Sequence, residues 1–561
     1  MSGTSEYDLK SVKLPRLVGG QLSAMAGALE SGLLRALILP SMLKSGGITA
    51  FRALSPEESP TFLPIAYADK KAPPEAGPDL KALNKIEGGA GSGPFKTARD
   101  YARAYKEGKA NPEDVARKAL DAIKQADAGS LKLRPFIAVN EGDVMQQARA
   151  SAERWKDKKP LSVLDGVPVA VKDEVDMVPY PTTVGTKFFG GAPARRDSTA
   201  VARLRAAGAL LLGKANMHEI GINPDGLNVN FGSTRNPYNP KHDTGGSSSG
   251  SATAVAAGIG PLALGADGGG SIRVPSSHCG VVGLKPTFGR VSEYGAAPLC
   301  WSVAHLGPIA ATVEDAAIGY LCMAGPDAAE PNSLHQPAAS LEQWNKTDLK
   351  GVRLGVYRPW FEHASPEVVR ACDNLLEKLA SSGAQIKQVV VPGLDTMRVA
   401  HAITILSEMA GSMNNYPDHS NDFGAEVRLS LILGRNCTAD DYIKAQRIRT
   451  RVMAAFREIY SEVDAIITPS SAITAPEVTP EAAEGGWSDL SSTTEVMRYA
   501  FPGNLAGLPA ISFPAGYDNI GLPIGMQAMG RWWEEDLLLR IAFAAERLVE
   551  RRKPVVFFDL L

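Results

Sequence analysis

Residues 244–283 read TGGSSSGSATAVAAGIGPLALGADGGGSIRVPSSHCGVVG. Two Gly/Ser clusters stand in this stretch, one around Ser247 and one around Ser271. Between them Ala252–Gly258 is Ala-rich and reads as a short buried helix, and Pro261–Ala266 as a buried strand. The second cluster opens into Ser271–Ser277, a tight glycine loop running into a helix start.

Glycines stand where backbone must take positive φ or come close to another group. Gly268, Gly269 and Gly270, just before Ser271, can turn several N–H groups toward one point. Such a nest suits an oxyanion, because preorganised donors stabilise charge that develops on a carbonyl oxygen. A serine beside it is a poor nucleophile until a base takes its proton. The remaining question is which residue supplies that base.

Three other readings fit the stretch less well. A phosphate-binding loop needs a closing Gly-Lys-Ser/Thr, and no lysine occurs between Lys241 and Lys285. Gly246–Gly250 fits a nucleophile elbow with Ser248 as nucleophile, but that arrangement wants a histidine late in the chain, and none follows His419. A flexible linker is at odds with the apolar runs that flank both clusters.

The pattern Gly245-Gly246-Ser247-Ser248, then Asp267-Gly268-Gly269-Gly270-Ser271-Ile272-Arg273, resembles the amidase signature family. That family also carries an upstream lysine at a strand end, matched by Lys172 in the block Leu164–Asp173. The resemblance implies an α/β fold, a large mixed sheet covered by helices on both faces. It also implies hydrolysis of a linear amide by a Ser-Ser-Lys triad through an acyl-enzyme. Ser271 would attack, Ser247, on a cis peptide after Gly246, would bridge, and Lys172 would be the base. Backbone N–H groups of Gly268, Gly269, Gly270 and Ser271 would hold the oxyanion. Ser248 and Arg273 would brace the site, though Arg273 can equally be read as a plain structural partner of Asp267. Taken alone, Lys172 reads as a snorkelling residue or an ion-pair partner of Asp173 or Glu174.

Within the family the chain resembles the plant-type fatty acid amide hydrolases. They share the three glycines, the block Gly213–Glu219 and the C-terminal run Lys553–Leu561. This implies N-acylethanolamines or other long-chain acyl amides as substrates, with no metal and no organic cofactor. Two alternatives stay open: a short-chain or aryl amidase, and the amidotransferase subunit that feeds ammonia to a tRNA-bound acid.

With 561 residues, a bare length prior suggests roughly three or four domains. The two clusters and Lys172 must meet in space, which favours one catalytic domain over 94–561, a linker over 69–93 and a helical arm over 1–68. Hydrophobic residues make up 44% and charged residues 21%, enough for a large core. A net charge of −2 gives no basic field for nucleic acid. Five scattered cysteines without a C-x-x-C argue for a reducing, cytoplasmic setting and against a zinc site. Cys279, in an apolar run, reads as packing rather than as a nucleophile. His218-Glu219 lacks the second histidine of a zincin helix, which leaves His218 a cap or core role.

No signal peptide is expected, and no apolar run reaches the ~18 residues of a spanning helix. Met1–Lys13 is polar and reads as disordered. Arg16–Leu39 reads as an amphipathic helix with Val18, Leu22, Met25, Leu29 and Leu33 on one face, and Pro40 disfavours its continuation. That face calls for a cover: the body of the protein, a second copy in a homodimer, or peripheral contact with a membrane. Beyond it, β-α alternation runs through Val167–Val171, Thr199–Ala207, Leu210–Leu212, Val313–Met323, Pro366–Ser381 and Asp464–Thr468. Asn216–Gly221 reads as a helix start, and 502–525 as sheet edges. The methionines of Leu394–Asn414, at 397, 409 and 413, read as core, with the lining of an acyl pocket as the alternative.

Overall fold

A computed structural model describes residues 7–12, 15–73, 77–88 and 93–561. Among the described residues, eleven strands form one mixed sheet. In chain order they are β1 (Phe136–Ala138), β2 (Pro168–Lys172), β3 (Leu210–Ala215), β4 (Leu262–Ala266), β5 (Val282–Lys285), β6 (Leu306–Ala310), β7 (Arg353–Val356), β8 (Gln385–Gln388), β9 (Ala465–Pro469), β10 (Ala510–Tyr517) and β11 (Pro523–Gly530). The spatial order is β1-β3-β2-β4-β6-β5-β10-β11-β9-β7-β8. β2 runs parallel to both β3 and β4, and the centre of the sheet is antiparallel. The expected α/β class is what is found.

The strands at the site are buried over their whole length. β2 and β4 expose none of their residues, as the uninterrupted Val/Ala/Leu runs require of a sheet covered on both faces. Because β2 and β4 are parallel neighbours, their carboxyl ends open on the same edge, where ligands of α/β sheets gather. β10 and β11 pair as an antiparallel hairpin in the middle of the sheet, so 502–525 does not form its edges. Asn216–Gly221 yields only the 3-10 turn Glu219–Gly221.

The arm departs from the one helix expected over Arg16–Leu39, while the second short helical piece expected over Met42–Leu54, broken at Gly46-Gly47, has its counterpart in the helix Ile48–Arg52. Leu17–Val18 pairs as a short strand with Trp487–Ser488. Helix α1 (Gly19–Glu30) follows, then α2 (Gly32–Ser45), bent by 110° from it. Pro40 lies inside α2 instead of ending it. Leu22 and Leu29 are fully buried against Leu429 and Ile432 of the helix Ala425–Arg435. Each buried leucine is worth roughly 1.5 to 3 kcal/mol. Arg52 reaches Asp441 at 2.8 Å and Glu30 reaches Arg428 at 3.0 Å. Beyond the bend the apolar face turns outward: Leu33 is 78% and Leu37 71% exposed. Among the described residues no single helix is long and apolar enough to cross a membrane.

The N-terminal segment is more ordered than its polarity suggested. Leu9 is buried in an apolar cluster, and the Tyr7 hydroxyl lies 2.6 Å from His363 Nδ1. Residues 1–6 and 13, also expected to be disordered, lie outside the described residues. Leu83 and Ile86, in the stretch read as a linker, pack into the main core.

Candidate active site

Lys172 is the last residue of β2, and its side chain is buried. Nζ donates to Ser247 Oγ at 2.9 Å and to the Ala266 carbonyl at 3.2 Å, and it pairs with Glu174 Oε2 at 2.7 Å. Asp173 points elsewhere and pairs with Lys214 at 3.4 Å. Lys172 is therefore no surface snorkeller. The Gly246–Ser247 peptide is cis. A Cβ on Gly246 would run into the Asp225 carbonyl, so the chain passes there only as glycine.

Ser248 is fully buried, and its hydroxyl is used twice: it donates to Ala266 O at 3.1 Å and accepts from Ala266 N at 3.2 Å. It stitches the serine loop to the end of β4 and has no hydroxyl free for an elbow nucleophile. Its N–H donates to Ser271 O at 3.3 Å, which ties the two clusters together.

The glycine loop is organised by Asp267. Gly270 N–H donates to Oδ1 at 2.6 Å, and Ile272 N–H to Oδ2 at 3.1 Å. Gly270 takes φ +122°, a conformation costly for a side-chain-bearing residue. Arg273, fully buried, grips the same carboxylate through Nε at 3.0 Å and Nη2 at 3.1 Å, and reaches Gln527 and Asn504. Burial opposes charge on Asp267, but Arg273, then Lys285 and Asn504, hold its carboxyl below the ordinary carboxylate value. Arg273 thus pairs with Asp267 and braces the loop through that pairing. Gly270 N–H is committed to Asp267, which removes it from the expected oxyanion donors. Among the described residues the N–H groups of Gly268, Gly269 and Ser271 donate to no protein acceptor.

His401 and Met497, which lie against Gly269, also line a mostly apolar cavity of about 190 Å³ with Ile222, Ile405, Leu433 and Phe501, among others; the loop's own residues are not in its wall. A Cβ on Gly269 would lie 2.8 Å from Met497 Cε and 2.9 Å from His401 Cε1, both cavity-lining residues. On Gly268 it would meet Cys300 Sγ at 2.8 Å, which gives the third glycine a steric reason. His401 Nε2 lies 2.8 Å from Gly268 O, and since a carbonyl only accepts, Nε2 carries the proton. Burial pushes His401 down to about 4, which keeps the ring neutral. The helix Leu394–Met413 turns its methionines at 397, 409 and 413 into the core and presents Arg398, His401, Ala402 and Ile405 to the cavity. A larger cleft of about 480 Å³ among Lys132, Arg134, Lys241 and Glu477 holds none of these groups.

Behind Ser247 sits a buried ionic cluster. His218 N–H donates to Ser247 O at 3.2 Å. His218 Nε2 lies 3.2 Å from Glu426 and 3.6 Å from Asp225, and Nδ1 lies 3.1 Å from the Glu219 carbonyl. The three side chains are close enough to hold a metal ion. Yet all partners of both ring nitrogens only accept, so the ring is doubly protonated and has no lone pair for a metal. Burial favours the neutral ring, but Asp225 and Glu426 outweigh it and push His218 up to about 9. All five cysteines are free, and burial pushes the Cys279 thiol well up, which leaves it inert.

The family model described as Amidase matches residues 115–539. This chain belongs to the amidase signature family. It is 38% identical to a fatty acid amide hydrolase of Medicago truncatula over 99% of this chain and 96% of that one. It is 36% identical to a fatty acid amide hydrolase of Arabidopsis thaliana, covering 100% and 97%. Among solved structures, the native peptide amidase of Stenotrophomonas maltophilia superposes with a TM-score of 0.70 at 27% identity, over 83% of this chain and 99% of that one. The amidase signature chain described here is an amide hydrolase.

Glu174, His401 and the His218–Glu426 pair were not singled out as site residues by sequence reading. Glu174 alone had a signal: two residues after Lys172, it was within reach as an ion-pair partner, and that is the pairing found.

Proposed function

We propose that the protein hydrolyses long-chain acyl amides, N-acylethanolamines among them, through an acyl-enzyme on Ser271. The observation that carries this reading is the buried 2.9 Å contact of Lys172 Nζ with Ser247 Oγ, beside a glycine loop separated from a mostly apolar cavity by His401 and Met497. Ser271 attacks the carbonyl carbon as its proton passes to Ser247 and that of Ser247 passes to Lys172. The N–H groups of Gly268, Gly269 and Ser271 receive the oxyanion. The proton returns through Ser247 to the leaving nitrogen as the C–N bond breaks, and water then releases the acid by the same relay. Lys172 acts as the base in its neutral form, with the Ser247 hydroxyl 2.9 Å from Nζ.

The acyl chain lies along Ile405, Met497 and Phe501. Leu433, which lines the cavity and also packs against the arm, leads the rest of the chain toward α2. The exposed Leu33 and Leu37 are the surface that meets lipid or a second copy of the chain.

The test is an acyl-length series with ethanolamine as leaving group. kcat/KM should rise with length by up to about fourfold per CH₂, the limit set by ~0.8 kcal/mol per buried methylene. A series that peaks at two to four carbons makes this a short-chain or aryl amidase. Glutamine hydrolysis without a partner subunit would favour the amidotransferase reading.

A further inference from the structure

Lys172 Nζ has three polar neighbours, and their chemistry restricts how its hydrogens are placed. The Ala266 carbonyl at 3.2 Å and the Glu174 carboxylate at 2.7 Å can only accept. Each therefore takes one N–H. A neutral lysine has two N–H bonds and one lone pair. With both hydrogens held, the lone pair is left for the third neighbour, Ser247 Oγ, at 2.9 Å. A protonated lysine has three N–H bonds, and the third points at the same oxygen. Nζ can therefore gain and lose a proton along one direction without the side chain moving.

We propose that Glu174 is a positioning residue for the proton relay: with Ala266 O, it holds the two N–H bonds of neutral Lys172 so that the lone pair faces Ser247. This rests on the Ser-Ser-Lys reading above. Glu174 neither gains nor loses a proton in the cycle. As Ser271 Oγ bonds to the carbonyl carbon, the C=O π pair moves onto oxygen. The Ser271 proton goes to Ser247, and that of Ser247 to Lys172. On collapse of the adduct the same proton goes back to the leaving nitrogen.

The local chain is built to hold Glu174 in place. Val175 N–H donates to Lys172 O at 3.1 Å, and Ala297 N–H donates to Glu174 O at 2.9 Å, so the turn after β2 is pinned on both sides. Gly221 leaves room for the pair: a Cβ there would come within 3.2 Å of Ser247 Oγ and 3.8 Å of Glu174 Oε2. The other titratable groups around the pair are accounted for. Asp173 is paired with Lys214, and Asp267 with Arg273. Cys300 and Glu293 lie near it on the following loop, and Glu408 on the helix Leu394–Met413. Burial, reinforced by Glu330, Glu174 and Glu408, keeps Glu293 protonated well above the usual carboxylate range. Burial also keeps the Cys300 thiol neutral. Glu174 is the anion in direct contact with Lys172, and its charge favours the ammonium form.

The test compares Glu174→Gln, Glu174→Ala and Lys172→Ala on one soluble amide, reading kcat and KM across pH. In Glu174→Gln the amide oxygen still accepts an N–H, but the negative charge is gone. Its acid limb should move about one unit to lower pH, the lower end of what an adjacent opposite charge does. Glu174→Ala should lose about 10-fold or more in kcat at the plateau with KM little changed, and more than Glu174→Gln loses. Thermal melts check that each variant is folded. An acid limb that stays put in Glu174→Gln overturns the proposal, and so does a Glu174→Ala plateau equal to that of the unaltered enzyme. Lys172→Ala isolates the underlying reading: near-normal turnover there sinks the triad itself, whereas a dead Lys172→Ala with an unmoved Glu174→Gln profile sinks only the role of Glu174.

Discussion

His401 Nε2 donates to the carbonyl of Gly268 at 2.8 Å, which fastens the glycine loop to a helix 133 residues further along the chain. The bond fixes the peptide plane between Gly268 and Gly269, and so the direction of the Gly269 N–H. His401→Ala should cut kcat by about 10- to 100-fold with little change in KM. That is below the 10² to 10³ typical of deleting an oxyanion donor outright, because the donor remains and only its aim is lost. His401→Gln, whose amide can reach the same carbonyl, should recover part of the loss. Since burial holds His401 near 4, the rate profile of the unaltered enzyme should show no limb from this ring at neutral pH. Equal kcat in His401→Ala would remove the loop-fastening role.

Ser271→Ala should abolish turnover and labelling by a serine-reactive fluorophosphonate. Ser248→Ala should keep measurable activity, because its hydroxyl serves Ala266 and not the substrate. Its cost should appear mainly as lost stability, about 1 to 3 kcal/mol for leaving the buried Ala266 N–H without its acceptor. Label mapped to Ser248 by peptide sequencing would instead favour the elbow.

The parts of the site that could be read in the sequence are those held by local backbone chemistry. Ser247, Ser271 and the glycines stand in short blocks whose composition already demands unusual backbone, and Lys172 ends an unbroken apolar strand. The contacts that aim these groups are not local. His401 meets Gly268, and Glu426 meets His218 across 208 residues, and no spacing rule links such positions. Periodicity also does not say which face of an apolar helix meets the core. In Leu394–Met413 the methionines face inward while His401 and Ile405, four residues apart, face the cavity. Strands β5 and β6 are four and five residues long and contain Gly or Pro, too short for their pattern to stand out. In the arm, the unbroken helical spacing of Val18, Leu22, Met25, Leu29 and Leu33 conceals the bend at Ser31, since side-chain spacing carries no record of a 110° turn in the axis.

The His218 cluster predicts a loss of stability on the alkaline side. His218 is raised from 6.5 to about 9 in the folded protein. A raised cation contributes stability that is fully present below the unfolded value, so it should be intact below 6.5 and fade as pH rises through 9. Tm measured by calorimetry should therefore fall across this window. Glu426→Gln removes one of the two anions that raise His218, and the fall should begin at lower pH. An unchanged onset in Glu426→Gln would show that another group governs the alkaline transition.

The arm is the last test, because it separates packing from substrate access. Leu22 and Leu29 are buried on the body, so α1 is structural, while Leu33 and Leu37 beyond the bend stand in solvent. Two leucines at roughly 1.5 to 3 kcal/mol each can hold a protein to a lipid surface only weakly and reversibly. Leu33→Ser with Leu37→Ser removes this surface and leaves every buried contact of the arm in place. The double variant should keep its Tm and its rate on a short soluble amide. It should lose several-fold in rate on long-chain amides presented in vesicles, together with vesicle binding in a flotation assay. Sedimentation velocity on the same variant reads the alternative cover: if the unaltered protein is a dimer and the variant a monomer, the exposed leucines serve self-association. Removing Met1–Leu54 altogether would also strip Leu9 from the cavity wall, so a larger loss on long-chain amides is expected there whether or not the arm meets lipid, and only the double variant discriminates. If the double variant handles vesicle-borne and soluble substrates as the unaltered enzyme does, with binding and association unchanged, the access role of the arm falls.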